Sequence, residues 1–254
     1  MATQQHMPYV IGHAPAHTKH HEWRTAANSA PHLLPHLQKL TSNSNPKLLD
    51  IGCGPGTISA SLAQHLVPSG GHVLATDIAD DESVYELSFS DNKFDIVHAH
   101  QVLCHLDDPV AAIKEILRVC KPGGLVSLRE SDMRMWCFWP ELPSLSKFHE
   151  FTVNVMLANG GQDKGGRKLV SWVMDAGVDQ KDIEAGFGTW CYKAMIERLR
   201  TGQMRQRGIE LGLTTEQEVE EMVKGWQEWM ERGDATLGIV NGEVIVTKAE
   251  ASAH

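Results

Sequence analysis

Leu48-Leu49-Asp50-Ile51, followed by Gly52-Cys53-Gly54-Pro55-Gly56 and then by Thr57 to Leu66, is the stretch whose reading decides the fold. An apolar run closed by an acid reads as a buried strand, and alternate glycines free the backbone for a tight turn. Thr57 to Leu66 reads as a helix. Strand, glycine turn and helix in that order make a nucleotide-binding βα unit.

Working outward, a second strand is expected at His72 to Thr76, ending in Asp77, and a third at Phe94 to Ala99. A helix follows from Pro109 to Val119, then the turn Lys121-Pro122-Gly123-Gly124 and a strand from Leu125 to Arg129. This alternation predicts an α/β fold with a doubly wound, mostly parallel sheet. Beyond Glu130 the pattern changes. Trp136, Phe138, Trp139 and two prolines lead into helices near Leu145 to Ala158 and Gly166 to Ala176, read as a lid inserted at about 132–182. A strand from Ile183 to Tyr192 and helices from Ala194 to Leu211 and Glu216 to Glu231 come next. Asn241-Gly242 between alternating apolar runs is a hairpin signal, so the sheet is expected to close with an antiparallel edge hairpin. Upstream, residues 1–45 read as an arm followed by a helical cap broken at Pro31 and Pro35, with the main domain over 46–254.

The glycine spacing narrows the ligand. In dinucleotide enzymes GxGxxG places its last glycine inside the helix, under a pyrophosphate. Here that position is Thr57, and the glycines alternate at 52, 54 and 56. Small residues with a nearby acid, Asp50, suit an amino acid joined to a nucleoside, and Asp77 at a strand end suits a ribose diol. Asp77 alone does not separate this reading from a dinucleotide oxidoreductase.

Composition removes other classes. The 254 residues are 42% hydrophobic and 22% charged, which supports one folded core. A net charge of −9 speaks against nucleic-acid binding. No apolar run is long enough to span a membrane and no secretory leader is evident, so a cytoplasmic protein is expected. Five scattered cysteines give neither a disulfide framework nor a zinc site. His13, His17, His20 and His21 lie in a polar stretch without matching thiols or carboxylates, and no metal is expected.

LLDIGCGPG, the acid in ATDI, SDNKFDIVHAHQVLCHL and RVCKPGGLVSLRES resemble, in that order, the successive motifs of class I methyltransferases of the UbiE/COQ5-like group. The match covers about Leu48 to Ser131, and the flanking segments are similar to its small-molecule branch, including fungal enzymes that S-methylate dithiols of the gliotoxin type. The resemblance implies a Rossmann-like sheet and S-adenosylmethionine as cofactor, leaving as S-adenosylhomocysteine. It implies that Gly52, Gly54 and Gly56, with Cys53 and Asp50, line the methionine side, that Asp77 and Ile78 meet the ribose, and that Ser83 and Val84 lie at the adenine. Gln101 and Val102 would lie beneath the cofactor, and Arg24 would reach its carboxylate. Three departures stand out. Sixteen residues separate Asp77 from Phe94, short for a further helix and strand, and Ser83 replaces the acid that recognises adenine. Cys191-Tyr192-Lys193 is also shortened relative to the family.

Methyl transfer is an in-line displacement, so positioning and exclusion of water are the main demands. A thiol of a small metabolite needs no dedicated base, because its free pKa is about 8.5. Thiol methylation is the expected reaction; O- or C-methylation of a phenolic or quinone-type molecule, or an inactive methyltransferase-like binding protein, are the alternatives. His98, His100 and His105 stand at or just after a strand end, with His100 the first candidate for a proton acceptor. His105, Trp136, Phe138 and Trp139 are expected to wall the acceptor pocket. The sequence carries no signature of oligomeric state.

Overall fold

The strand beginning at Lys47 shows why the sheet forms: four of the five residues of β1 (Lys47–Ile51) are buried, as a parallel strand covered on both faces requires. The computed structural model describes residues 21–40, 45–77, 83–191, 199–200 and 202–250. β2 (His72–Thr76), β3 (Phe94–His100), β4 (Cys120–Trp139), β5 (Ile183–Cys191) and β6 (Thr236–Thr247) complete a sheet of order β2-β1-β3-β4-β6-β5. β2, β1, β3 and β4 run parallel, and β6 is antiparallel to both β4 and β5. The chain leaves β1 to one side for β2 and returns to its other side for β3. The order therefore reverses between β1 and β3, and a crevice opens at their carboxyl ends.

Alternation along each strand assigns the layers. Leu48 and Ile96 join Leu125 and Ile245 on the face covered by α1 (Ala26–Ser29), α2 (Leu34–Leu40) and α3 (Thr57–Leu66). Leu49, Val97 and Val126 face the other way, under α4 (Pro109–Val119) and α6 (Gly165–Asp175). α4 starts where its sequence says it should: Asp108 accepts the Ala111 N–H at 2.9 Å, and Pro109 occupies the first turn. A second core gathers α5 (Pro143–Ala158), α7 (Gln203–Glu210) and α8 (Glu216–Met230) over the far ends of β4 and β6. α8 opens with a capping box in which Thr215 and Glu218 exchange hydrogen bonds of 2.9 and 3.2 Å.

Several expectations change. The antiparallel edge is present, made by β5 and β6, but Asn241-Gly242 is not its turn. Both residues lie inside β6, opposite Ser131 and Glu130, and neither has the positive φ of a type I′ turn. The fold overrides the local signal because Gly242 lets the first turn of α6 touch the sheet: a Cβ there would overlap the carbonyl of Gly166. Trp136, Phe138 and Trp139 do not leave the sheet; they extend β4 against Thr236 to Ile239 of β6. The span 132–182 divides, since α6 packs on the main sheet while α5 belongs to the second core. Between Asp77 and Phe94 the described residues hold one isolated bridge, Ser83 to Glu86, and no strand, so β2 is the edge. Residues 1–20, with His13, His17 and His20, lie outside the described residues, as do Ile78, Tyr192 and Lys193. Among the described residues no helix is long and apolar enough to cross a membrane.

Candidate active site

The crevice is built first from the loop after β1. Gly52, Gly54 and Gly56 have φ of 69°, 53° and 77°, a region closed to most side chains. The N–H groups of Gly52 and Cys53 both reach the Thr76 carbonyl, at 2.8 and 3.1 Å, and Gly54 N–H donates to Asp77 Oδ2 at 2.8 Å. The end of β2 thus holds the loop open. A Cβ at Gly54 or Gly56 would meet nothing, so their backbone faces free space, whereas one at Gly52 would overlap Val102. Asp50 lies beneath the loop with 2% exposure, and its Oδ2 accepts the Ser59 hydroxyl at 2.5 Å. Burial raises the Asp50 pKa to about 7, the Ser59 hydrogen bond opposes this, and the Asp77 charge adds to it. Asp50 therefore supports the loop from inside rather than lining its surface.

The opposite wall follows β3. Gln101 adopts φ 56°, uncommon for a residue with a side chain. Its N–H donates to the Arg129 carbonyl at 2.8 Å, its Oε1 accepts from Arg24 Nη2 at 3.2 Å, and its Nε2 donates to Asn241 at 3.3 Å. One side chain thus ties the N-terminal cap to β6 across the mouth of β3. After it, Val102, Leu103 and Cys104 donate their N–H groups to the buried carboxyl of Glu130 at 3.0, 2.9 and 3.0 Å. Burial nevertheless pushes the Glu130 pKa up to about 7. Neither Glu130 nor Asn241 was singled out as a site residue from the sequence. The signal for Glu130 was the acid directly after a buried apolar strand, where a charge needs a structural reason.

His98 and His100 share one face of β3. His98 Nδ1 lies 3.1 Å from Ser127 Oγ, which is 3.0 Å from His32 Nε2. Burial lowers His98 to about 4 and His32 to about 3; it also holds His100 well below its ordinary value, helped by the charges of Arg24, His98 and Arg129. His105 ends a short 3-10 turn beyond Val102 and is half-buried. Ser83 Oγ accepts the Tyr85 N–H at 3.3 Å, and Val84 packs against the sheet core.

The aromatic residues expected around the acceptor are not gathered here. Trp136 stacks on His149 with centroids 5.1 Å apart, and Phe138 meets Trp226 edge-on at 6.1 Å, both as part of the second core. Trp139 is 61% exposed at the end of β4. Their alternation along an extended strand sends Trp136 and Phe138 into that core and Trp139 outward. Among the described residues no group of three or more metal-ligating side chains occurs.

The comparisons with known proteins agree with this geometry. A family model described as a methyltransferase domain matches residues 20–161, more than half of the chain. An uncharacterised methyltransferase of Schizosaccharomyces pombe is 29% identical, covering 91% of this chain and 92% of its own. An O-methyltransferase of Aspergillus sclerotiorum is 29% identical over 44% of this chain and 49% of its own. Among solved structures, one from Anabaena variabilis, described as a methyltransferase of an antibiotic biosynthesis pathway, superposes with a TM-score of 0.55 at 13% identity, covering 85% of this chain and 97% of its own.

Proposed function

This chain belongs to the methyltransferase-domain family and is an S-adenosylmethionine-dependent enzyme, and from that premise we propose that it methylates an oxygen of an acidic hydroxyl, phenolic in character, on a small molecule. The observation that carries the reading is the cradle between β1 and β3, where three left-handed glycines leave backbone open to a ligand and Gln101 closes the far wall. The residues fit the cofactor. Gly52, Cys53, Gly54 and Gly56 would take the methionyl part, Asp77 the ribose, Ser83 and Val84 the adenine, Gln101 and Val102 the floor, and Arg24 the carboxylate. Bound there, the cofactor supplies an electrophilic methyl group on a sulfonium.

The chain's own task is to position the acceptor and to hold water off. His100 is neutral at physiological pH and, being held far below its usual pKa, is a weak base. An acceptor that ionises readily suits such a site. A phenol, with a pKa near 10, does so better than an aliphatic alcohol. The partly matching Aspergillus relative, an O-methyltransferase by name, supports oxygen. The same weak base favours a second reading, a thiol, which ionises more easily still. The UbiE/COQ5-like and dithiol-methylating resemblances bear on that choice. The cysteines Cys53, Cys104, Cys120 and Cys137 are free thiols, in keeping with action in the cytosol.

The test is calorimetric titration with S-adenosylmethionine and S-adenosylhomocysteine, followed by mass spectrometry of phenols and reduced dithiols incubated with enzyme and cofactor. Cofactor binding with methyl gain on phenols alone supports oxygen transfer. Gain on dithiols alone replaces it with sulfur, and absence of cofactor binding removes the reading altogether.

A further inference from the structure

We propose that the cleft between α1 and β5 is the acceptor site and that it takes a planar, hydroxylated aromatic molecule, an inference that rests on the methyltransferase reading above. The cleft has a volume of about 510 Å³, with Trp23 and Pro31 on the cap side, Phe187 and Gly188 on β5, and Arg129 and Glu243 at its floor. That volume lies within the range of small-molecule sites.

Its walls and floor differ in kind. Trp23 is 38% exposed and Phe187 is 64% exposed, two aromatic side chains that the three apolar cores have left at the mouth. Aromatic faces on either side of a slot suit a flat ring, by offset or edge contacts. The floor is an ion pair: Arg129 Nε lies 3.2 Å from Glu243 Oε1, and Arg129 is 1% exposed. Arg129 also donates from Nη1 to the Asn28 carbonyl at 2.9 Å, so its guanidinium is fixed. Glu243 Oε1 is buried between two nitrogens, Arg129 Nε and, 3.7 Å away, His32 Nδ1, which anchors the carboxylate at the floor. Gly188 is what opens the floor to the cleft, because a Cβ there would overlap the Glu243 carboxylate and lie 3.1 Å from Arg129 Nη2. A hydroxyl entering the slot can donate to the Glu243 carboxylate, whose side chain keeps 12% exposure, while the neighbouring Arg129 favours partial negative charge on the entering oxygen.

The cleft adjoins the cradle. Arg129 pairs in register with His100, the last residue of β3. Trp23 precedes Arg24, which binds Gln101. The acceptor thus lies beside the wall of the crevice where transfer takes place.

The experiment is titration of the full chain, saturated with S-adenosylhomocysteine, with 2,3-dihydroxynaphthalene and with naphthalene. The wild type is expected to bind the diol and to bind the hydrocarbon at least about tenfold more weakly. W23A/F187A is expected to lose about tenfold or more in affinity for the diol, with its affinity for S-adenosylhomocysteine unchanged. E243Q tests the floor, and F187A, a change at an exposed position, keeps the test valid if E243Q fails to fold. Equal binding by wild type and W23A/F187A, or no diol binding by a wild type that binds S-adenosylhomocysteine, overturns the acceptor site alone. Failure to bind S-adenosylhomocysteine overturns the cofactor reading instead, and the acceptor site with it.

Discussion

Gly52 and Val102 meet across the crevice so closely that a Cβ on the glycine would overlap Val102 Cγ2. The contact joins the loop after β1 to the turn after β3, and so fixes the width of the cradle at the point where the strand order reverses. Gly52→Ala faces both this overlap and a φ of 69°. Strain in that region costs about 1–2 kcal/mol before any clash is counted. The variant is expected to fold with reduced stability and to bind S-adenosylhomocysteine at least about tenfold more weakly, as measured by denaturant unfolding and calorimetry. Unchanged affinity would show that the loop is not the binding element.

Glu130 holds the other side. Its carboxyl accepts three consecutive N–H groups from Val102 to Cys104. Glu130→Gln keeps one acceptor and turns an amide donor toward those N–H groups, leaving buried donors unpaired. A loss of roughly 2–3 kcal/mol in unfolding free energy is expected. Because the Val102 turn moves with it, kcat should fall further than the acceptor KM rises. A drop in stability with kcat intact would make Glu130 a scaffold residue only.

Buried titratable groups oppose one another in their effect on stability. Asp50 has its pKa raised from 3.8 to about 7 in the fold. Between those values the folded chain keeps a proton that the unfolded chain releases, so stability falls as pH rises. Glu130, raised to about 7, acts in the same sense. His32 and His98, lowered from 6.5 to about 3 and about 4, act oppositely, since the unfolded chain takes up their protons as pH falls below 6.5. Asp50→Asn removes one falling contribution. Unfolding free energy measured from pH 4.5 to 6.5 should then rise more steeply than in the wild type, by up to about 1.4 kcal/mol per pH unit. Identical slopes would mean that Asp50 titrates like an exposed carboxylate.

Phe138 packs against the second core. Its ring meets Trp226, which is fully buried, and shares that cluster with Trp136 and Phe148. Phe138→Ala is expected to cost roughly 2–3 kcal/mol of stability, below the figure for a fully buried ring. The acceptor KM should stay within about twofold of wild type. A large rise in KM at unchanged stability would return Phe138 to the pocket.

What the sequence disclosed follows from how local each cause is. β1, α3, β2 and α4 were legible because an apolar period, a cap or a glycine turn lies within a few residues of what it controls, as Asp108 and Pro109 do for α4. The crevice was legible for the same reason, since Gly52 to Gly56, Asp77 and Gln101 all stand at strand ends. Asn241-Gly242 misled because Gly242 answers to Gly166, far away in sequence. The packing of the β4 aromatics was not legible, because the cover that α5 gives Trp136 and α8 gives Phe138 is invisible in those residues themselves. Glu130, Asn241 and the Arg129–Glu243 pair are functions of register between strands, which no single stretch encodes.

His100 decides how the pH dependence of the reaction should look. It ends β3 on the same face as His98, with ring centroids 6.4 Å apart, and stands in register with Arg129. Burial and four nearby cationic or ionisable groups, Arg24, His98, Arg129 and His21, hold its pKa well below 6.5. A general base of ordinary histidine pKa would give kcat/KM a limb near 6.5. Here the limb should follow the acceptor, moving to lower pH as more acidic phenols are supplied. His100→Asn, checked by thermal melting to confirm folding, should keep the limb where it was and lower kcat by less than about a hundredfold, the smallest effect expected for a true general base. A limb between pH 6 and 7 that is independent of the acceptor and disappears in His100→Asn would instead make His100 the base, and would mean that cofactor and acceptor binding raise its pKa back toward the ordinary value.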